Sequence, residues 1–214
     1  MPKNQPEPVR DPASDHLLTP SNCAIALIDY QPEQFSTVGS TTRDEILLGV
    51  VTLAKLSRAY EIPTVLSTVG VDLGVNTGTI SEIKDELPDL EEIDRTGVNS
   101  WEDADFRAAI EATGRKKIVL AGLWTEVCLT FPTLDLLKEG YKVYPVIDAV
   151  GGVSDDAHNS AVTRMVTAGA HPITSLAFGA ELMRNWARSD SDRYRTIIND
   201  YFQRRRAIGD TFGN

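Results

Sequence analysis

Short apolar runs alternate along this chain with longer segments in which apolar residues recur at helical spacing, and this alternation constrains the fold more than any other feature. The predicted strands cover 23–28, 64–69, 117–122, 142–147 and 171–176. The predicted helices cover 43–60, 102–113, about 125–139, about 155–168 and a last segment through Trp186. Such alternation is typical of a mostly parallel sheet with helices on both faces, so the sequence predicts an α/β fold.

The segment from Gly70 to Gly97 interrupts this pattern. It contains three glycines before an acidic run and shows little periodicity, which predicts a long connection over the strand ends. Parallel sheets bind their ligands at the carboxyl ends of the strands. We therefore expect the functional site at that edge.

Length and composition indicate one main domain. A chain of 214 residues is large enough to bury a sizeable core without disulfides or metal ions. Five prolines fall within the first twenty residues. We divide the chain into a Pro-rich arm over 1–21, a domain over 22–189, and a C-terminal amphipathic helix and tail over 190–214.

The charge balance excludes two classes of partner. With 21 basic and 31 acidic residues the net charge is −10, which opposes binding to nucleic acid and to anionic membranes. The N-terminal arm has no apolar stretch typical of a signal peptide, and no run approaches membrane-spanning length. Two cysteines without a disulfide framework predict free thiols and a cytoplasmic protein.

Cys128 is the strongest candidate for chemistry. It follows the apolar run 117–122 at the point where a helical pattern begins. Free backbone N–H groups and the positive end of a helix dipole favour a thiolate there, which predicts a pKa below the ordinary value of about 8.5. The alternative is a buried, inert cysteine, and we interpret Cys23, which enters a buried strand, in that way.

Two carboxylates also end predicted strands. Asp29 follows the first strand, and right-handed crossovers would bring it to the same edge as Cys128. A solvated strand end or a helix cap is the alternative for Asp29. Asp148 ends another strand before two glycines, where turn formation is the favoured interpretation.

Four segments resemble the isochorismatase-like cysteine hydrolases, and within them the YcaC branch. They are Ile28–Gln31, Arg95–Trp101, Ala121–Cys128 and Tyr141–Ala149. The resemblance runs from about Asn22 to Trp186. It implies a three-layer α/β/α sandwich and a cofactor-free enzyme that cleaves a small amide-like C–N substrate through an acyl-enzyme on Cys128.

The same resemblance implies a catalytic triad of Asp29, Arg95 and Cys128. Arg95 stands where most relatives have lysine. A guanidinium supplies positive charge but does not exchange a proton at accessible pH, so proton transfer would fall on Asp29 alone. The alternative for Arg95 is an ordinary surface ion pair.

The resemblance also implies an oxyanion hole made of the backbone N–H groups of Trp124 and Cys128, with a cis peptide between Leu123 and Trp124. Pro132 cannot donate to the carbonyl of Cys128, so we expect a kink if the helix starts by Thr125, or else a proline in the first turn.

Other site residues are less specific. The candidates for a substrate pocket are Gln31, Phe35, Asn99, Trp101 and Trp124, although core packing is an equal interpretation of the aromatic ones. The three histidines lack metal-ligand spacing, and no dinucleotide or phosphate-binding glycine motif follows a strand. We therefore expect no bound metal and no cofactor.

Two other functions remain open: a thiol-based redox-responsive protein, and a catalytically silent oligomeric scaffold. The segment 190–214 carries one apolar stripe at helical spacing, formed by Tyr194, Ile197, Ile198, Tyr201 and Phe202. This stripe covers either its own subunit or a neighbour. Because oligomers are usual in the family it resembles, we expect a homo-oligomer with the helix crossing to a neighbour.

Overall fold

One parallel sheet of five strands organises the chain. The computed structural model describes residues 11–209. The strands are β1 Cys23–Ile28, β2 Thr64–Val69, β3 Glu92–Arg95, β4 Lys117–Gly122 and β5 Lys142–Pro145, in the order β3-β2-β1-β4-β5. Every residue of β1 and β4 is buried, as expected of central strands covered on both faces.

Helices cover both faces of the sheet. The α-helices are α1 Pro32–Phe35, α2 Arg43–Tyr60, α3 Ser81–Lys84, α4 Ala104–Ala112, α5 Thr130–Lys138, α6 Asp155–Thr167, α7 Ser175–Met183 and α8 Ser191–Ala207. Right-handed crossovers put α2 and α3 on one face and α4 and α5 on the other. Helices α7 and α8 pack beside α2, and α6 packs beside α5. The structure is thus the predicted three-layer α/β/α sandwich.

The strand order reverses between β1 and β4. From β1 the chain moves outward to β2 and β3, and from β4 it moves outward the other way to β5. The connections that leave these two central strands therefore diverge, and the crevice between their carboxyl ends is the expected ligand site of an open α/β sheet.

The segment from Gly70 to Gly97 is not the unstructured connection that we expected. It contains α3 and the edge strand β3, which pairs in parallel with β2 from Leu66↔Glu92 to Val69↔Arg95. Only one of the four β3 residues, Ile93, is apolar. A short, polar edge strand has no apolar run, which explains why the pattern missed it.

The predicted strand 171–176 is wrong. The segment forms a single bridge, between Ile173 and Val146, and the backbone N–H groups of His171 and Ile173 donate to the carbonyls of Val143 and Pro145. The Thr174 hydroxyl then accepts from the backbone N–H of Ala177, and Asp148 binds the backbone and hydroxyl of Ser175 at 2.8 and 2.7 Å. These contacts start α7 and end the extended segment.

The helix expected from 125 to 139 has two parts. Thr125–Leu129 forms one wide π-helical turn, and α5 follows it. The backbone N–H of Thr130 reaches back to the carbonyl of Thr125. Pro132 is the third residue of α5, in its first turn, where a missing N–H costs least. The wide turn takes the place of the expected kink.

The C-terminal helix packs on its own subunit. Tyr194, Ile197 and Tyr201 are buried, and α8 lies against α2 and α7. Lys55 of α2 pairs with Asp200 at 2.6 Å. The expectation that this helix crosses to a neighbour is therefore wrong. Helix α2 has one apolar face against the sheet and a second on its outer side, and the apolar stripe of α8 covers that second face.

The described part of the N-terminal arm, from residue 11, packs under the amino ends of the strands. The Lys117 ammonium donates to the carbonyls of Asp15, His16 and Leu17, and Leu18 is fully buried. Within residues 11–209, no helix is long and apolar enough to cross a membrane.

Candidate active site

Asp29 and Arg95 form a buried ion pair at the carboxyl edge of the sheet. Asp29 follows β1 and Arg95 ends β3, two strands away. The two terminal guanidinium nitrogens of Arg95 donate to the two carboxylate oxygens of Asp29 at 2.6 and 2.7 Å. This two-point geometry is the strongest that a carboxylate and an arginine make.

The surrounding β2 strand and β3 loop hold the arginine. Its Nη1 also donates to the Ser67 hydroxyl at 3.1 Å and to the Thr68 carbonyl at 2.9 Å, while Nη2 donates to the Val98 carbonyl at 3.3 Å. Both charged side chains are fully buried, which rules out the surface ion pair as an interpretation of Arg95. Although burial disfavours the charge, its hydrogen bond to Asp29 and the charge of Asp29 raise the pKa of Arg95 above its ordinary value.

The backbone turns sharply to present Asp29. This residue has a positive φ of 59°, a conformation that costs a non-glycine residue free energy and is more common in aspartate and asparagine. The backbone N–H of Asp29 remains bound to the Ser67 carbonyl at 2.9 Å, so β1 and β2 stay paired up to this point. The turn directs the carboxylate across the strand ends instead of along β1.

Cys128 lies in the first turn after β4, next to Asp29. Its thiol lies within the field of the Asp29 carboxylate, and the charge of Arg95 acts on both. The structure thus brings together the three residues Asp29, Arg95 and Cys128, which are separated in sequence by up to about a hundred positions. The crossovers expected from the strand order account for this convergence.

The thiol is not the pre-formed thiolate that the sequence position suggested. Burial raises the pKa of Cys128 well above its ordinary range, and the interaction with the negatively charged Asp29 carboxylate raises it further. Arg95 and a backbone hydrogen bond from Trp124 act in the opposite direction but are smaller. Since Arg95 is already neutralised by Asp29, the thiol meets a charge pair and not an isolated cation. At neutral pH it is therefore protonated, with a carboxylate positioned to accept its proton.

The turn between β4 and Cys128 has the expected backbone form. The Leu123–Trp124 peptide bond is cis. The indole N–H of Trp124 donates to the Gln34 carbonyl at 3.2 Å and lies 3.0 Å from the Thr37 hydroxyl. These contacts join the turn to the segment after β1 on the other side of the crevice.

Gln31 and Phe35 lie beside the site but are engaged with the protein. The Gln31 amide donates to the carbonyls of Val69 and Thr77 and accepts from the backbone N–H of Val69. It therefore fastens the loop after β2 to the end of β1. Phe35 is buried with its ring centroid 6.2 Å from that of Tyr30.

Asn99 and Trp101 are placed among the helices that follow β3. Asn99 accepts from the backbone N–H of Trp101 and donates to Asp135 at 2.7 Å. The Trp101 indole donates to Glu139 at 2.9 Å and its ring meets Tyr141 edge-on. Their contacts point to a role in joining α5 to the start of α4, and a role in the pocket stays a prediction.

The histidines have separate structural surroundings. His158 Nδ1 lies 2.9 Å from the hydroxyl of Thr125, and burial lowers the pKa of His158 below its ordinary value. The ring of His171 packs against Tyr144, and His16 is 67 % exposed. Among residues 11–209, no three histidine, cysteine or carboxylate side chains are grouped in a way that would hold a metal ion.

Sequence reasoning missed the residues that hold Arg95. Ser67 and Thr68 are fully buried polar residues in β2, and both contribute an acceptor to the guanidinium. The signal was available for Ser67, because a buried hydroxyl in a central strand calls for a hydrogen-bond partner. Thr68 gave no such signal, since it binds Arg95 through its backbone carbonyl and its hydroxyl donates to Asp94. The reasoning for Ser67 also applies to Thr125, whose buried hydroxyl meets His158.

Comparison with known proteins identifies the family. The Isochorismatase domain model matches residues 23–176. The chain is 34% identical over 185 residues to a probable hydrolase, YcaC, of Escherichia coli, which covers 86% of this chain and 88% of that protein.

Two solved structures have the same fold. The structure of YcaC from Pseudomonas aeruginosa with hexane-2,5-diol and covalent acrylamide gives a TM-score of 0.82 at 34% identity, covering 91% of this chain and 98% of that one. The structure of the Escherichia coli protein, described as an octameric hydrolase of unknown specificity, gives a TM-score of 0.82 at 34% identity and covers 91% of this chain and 97% of that one. The chain therefore belongs to the isochorismatase family of hydrolases.

Proposed function

We propose that the chain is a cysteine-dependent hydrolase of small amides that works without a cofactor. One observation carries the proposal: the Cys128 thiol lies beside a buried carboxylate, which is itself held by a buried guanidinium at the carboxyl edge of the sheet. A nucleophile, a base within reach of it and a third group that orients the base are the parts of an activated nucleophile.

In the first half-reaction Cys128 attacks the carbonyl carbon of the amide. The S–C bond forms while the thiol proton passes to Asp29, and the carbonyl π electrons move to the oxygen. The backbone N–H groups of Trp124 and Cys128 are the proposed donors to that oxyanion, each worth about 3–4 kcal/mol of transition-state stabilisation. When the C–N bond breaks, the leaving nitrogen takes the proton from Asp29 and a thioester remains.

In the second half-reaction water replaces the amine. Asp29 accepts a proton from the water as its oxygen attacks the thioester carbon. The C–S bond then breaks, the acid is released, and Cys128 recovers the proton from Asp29. Atoms and charge balance over the cycle, and every proton moves through the same carboxylate.

Arg95 acts in this scheme as a fixed charge. A guanidinium stays protonated at any accessible pH, so it holds Asp29 in place and compensates the negative charge that moves between Asp29 and Cys128. Its hydrogen bonds to Ser67, Thr68 and Val98 fix its position. A lysine would supply the same charge with fewer directed bonds.

Two relatives support parts of the proposal. The Pseudomonas aeruginosa structure contains covalent acrylamide. Acrylamide reacts with nucleophiles at its alkene carbon, so this supports a reactive nucleophile in the present chain and leaves amide cleavage to be tested. The octameric Escherichia coli relative supports a homo-oligomer here. Because α8 packs on its own subunit, other surfaces would form the contacts. A small-molecule substrate and a cytoplasmic location remain predictions from the sequence.

The redox alternative has less support. The chain has two cysteines. Cys23 begins β1 and pairs with Lys117 at the amino end of β4, whereas Cys128 follows the carboxyl end. A resolving cysteine therefore lies at the opposite edge of the sheet. The scaffold alternative leaves the buried Asp29–Arg95 pair without a purpose, although such a pair is costly to bury.

A panel of small neutral amides tests the proposal. We expect ammonia or amine release from at least one of them, with a transient acyl adduct on Cys128 seen by intact mass. The Cys128→Ala variant should release none, and Cys23→Ala is the matched control. Turnover by Cys128→Ala, or turnover that EDTA abolishes and a divalent ion restores, would contradict a cofactor-free cysteine mechanism.

A further inference from the structure

The loops around the candidate site are almost free of charge. Four of them surround it: 36–41 after β1, 70–80 after β2, 96–99 after β3 and 150–154 after β5. We call these loops the collar. Together they contain one charged residue, Asp72, in a chain where 24% of residues are charged. Surface loops are normally the polar, charged part of a protein, so this composition is specific to this edge.

The collar also exposes apolar side chains. Leu73 and Val75 are 63% and 68% exposed, Val98 is 57% exposed and Val153 is 48% exposed. They come from three of the four loops. The carbonyl of Val98 binds Arg95 directly, so this part of the collar is in contact with the ion pair itself.

Hydrogen bonds hold the collar in place. Asp94 accepts from the backbone N–H groups of Val71 and Asp72 at 3.1 and 3.0 Å. Across the crevice, the Gly152 carbonyl accepts from the backbone N–H groups of Gly39 and Ser40. The loops therefore present their uncharged surface in a fixed arrangement, as a preformed binding site requires.

Inside the collar, the terminal nitrogens of Arg95 are all taken up by the protein itself. Both terminal nitrogens of Arg95 bind protein acceptors: Asp29, Ser67 and the carbonyls of Thr68 and Val98. Its remaining Nε is buried, and within the described residues it has no hydrogen-bond partner. A carboxylate on a substrate would find no free guanidinium edge to bind.

The three site residues are also electrically neutral together. One guanidinium, one carboxylate and one protonated thiol sum to zero, and the sum stays zero when the proton moves from Cys128 to Asp29. Nearby charges give no free cation to compensate an anion: Asp103 acts on Arg95, Glu126 lies in the turn that carries Cys128, and Arg43, which lies over the Phe35 ring, is paired with Glu82 at 2.8 Å. His158 beside Glu126 is held neutral by burial. An anion entering the site would therefore meet uncompensated repulsion.

From these observations we propose that the site selects uncharged acyl substrates and excludes those that carry a carboxylate. This inference rests on the proposed function, which supplies the nucleophile. The collar provides an apolar entrance whose one charge is the carboxylate of Asp72, and Arg95, whose terminal nitrogens bind protein acceptors, provides no counter-ion. The substrate class is thus a small neutral amide with an apolar body.

A pair of alkylating probes tests this without knowledge of the natural substrate. Iodoacetamide and iodoacetate react alike: the sulfur forms a bond to the CH₂ carbon, iodide leaves with the electron pair, and the thiol proton goes to Asp29. They differ in one group, a neutral amide against a carboxylate. The rate ratio at Cys128, measured by peptide mass and divided by the ratio for a free small thiol, isolates the effect of the site.

We expect the normalised ratio to favour iodoacetamide at least tenfold. Val98→Lys places a cation in the collar and should reduce the ratio about three- to tenfold, the effect expected of one added charge near a partly solvated site. Val166→Lys is the matched control. Val166 is a valine of α6, 48% exposed, so the variant makes the same change in net charge away from the site and should leave the ratio unchanged.

The outcomes separate the two claims. A normalised ratio near one in the wild-type protein would overturn the inference and leave the proposed nucleophile intact. An equal effect of Val98→Lys and Val166→Lys would also overturn it, because net charge and not the collar would then set the preference. Failure of both probes to modify Cys128 while the free thiol reacts would overturn the proposed function, and the inference with it.

Discussion

The two cysteines of this chain lie at opposite edges of the same sheet and differ in what surrounds the sulfur. Cys23 opens β1 at the amino edge, and Cys128 follows β4 at the carboxyl edge. Both are buried. Burial raises the pKa of Cys23 to about 12 and raises the pKa of Cys128 still further. By proton affinity alone, Cys128 is the less reactive of the two.

The difference is the proton acceptor. The Cys23 thiol donates to the backbone carbonyl of Thr19 at 3.1 Å, which cannot take up a proton. The Cys128 thiol lies beside the carboxylate of Asp29, a group that can take up a proton. Each edge also has a buried cation: Lys117 bound to three carbonyls of the N-terminal arm, and Arg95 bound to Asp29.

This comparison shows that a buried thiol near a cation is insufficient evidence of a nucleophile. At the amino edge the cation and the thiol fasten the arm to the sheet. At the carboxyl edge they share a carboxylate, a group of the kind that acts as a general base. A general base beside the thiol is therefore the feature that distinguishes a reactive site from a structural one.

The largest expected effect separates the two thiols directly. Cys128→Ala should reduce amide hydrolysis to the uncatalysed rate because no acyl-enzyme can form. Cys23→Ala should leave kcat/KM within about twofold, since a small core truncation acts on stability, at a cost of about 1 kcal/mol. Steady-state kinetics and denaturant unfolding of both variants check this. Residual turnover in Cys128→Ala would remove the distinction between the two edges.

The next effect tests the base. Asp29→Asn should lower kcat/KM about 10²- to 10⁴-fold, the usual contribution of a positioned acid–base group. It should also destabilise the fold by about 3–5 kcal/mol, because Arg95 is left buried without its counter-charge. The kinetics of both proteins should be measured at a temperature below the onset of unfolding, which circular dichroism determines for each. Unchanged kcat/KM in a folded Asp29→Asn protein would show that another group accepts the proton.

The two cations should differ in what their loss affects. Arg95→Lys keeps the charge and should retain activity within about tenfold, whereas Arg95→Met should be as impaired as Asp29→Asn. Lys117→Met should lower the free energy of unfolding by about 1–3 kcal/mol, since three carbonyls lose their donor, with little change in kcat. A large gain of activity in Arg95→Lys would indicate that this chain has lost a proton relay.

The smallest expected effect is a pH dependence at the amino edge. The folded protein holds the Cys23 proton more tightly than the unfolded chain, because burial raises its pKa from 9.0 to about 12. The stability that this provides is complete below pH 9 and is lost as the pH rises toward 12. Between pH 8 and 10.5, wild type should therefore lose about 1–2 kcal/mol relative to Cys23→Ala. Parallel pH profiles of the two proteins would contradict the assignment.

Part of this site was predictable from sequence for a clear physical reason. The strands 23–28, 64–69 and 117–122 and the helix 43–60 agree with the structure to the residue. Long apolar or periodic runs between breakers are the strongest local signal. Once the segments 23–28 and 117–122 are central parallel strands, Asp29 and Cys128 must approach each other at one edge of the sheet.

The rest depended on contacts that are distant in sequence. Arg95 ends a four-residue edge strand with one apolar member, so nothing local predicted its burial. The pKa direction at Cys128 was wrong because helix position was considered without burial and without the neutralisation of Arg95 by Asp29. The prediction that α8 packs on a neighbouring subunit was wrong, because the surface of α2 that it covers is apparent only once the chain is folded.

The central claim is that Asp29 makes Cys128, and not Cys23, the nucleophile. The most direct measurement is the rate at which a neutral activated ester acylates each cysteine at pH 7, followed on the two cysteine-containing peptides of the same sample, in wild type and in Asp29→Asn. We predict rapid acylation of Cys128 alone in wild type, and a fall to the rate of Cys23 in Asp29→Asn. Equal acylation of the two cysteines in wild type, or rapid acylation of Cys128 that persists in a folded Asp29→Asn protein, would contradict the account.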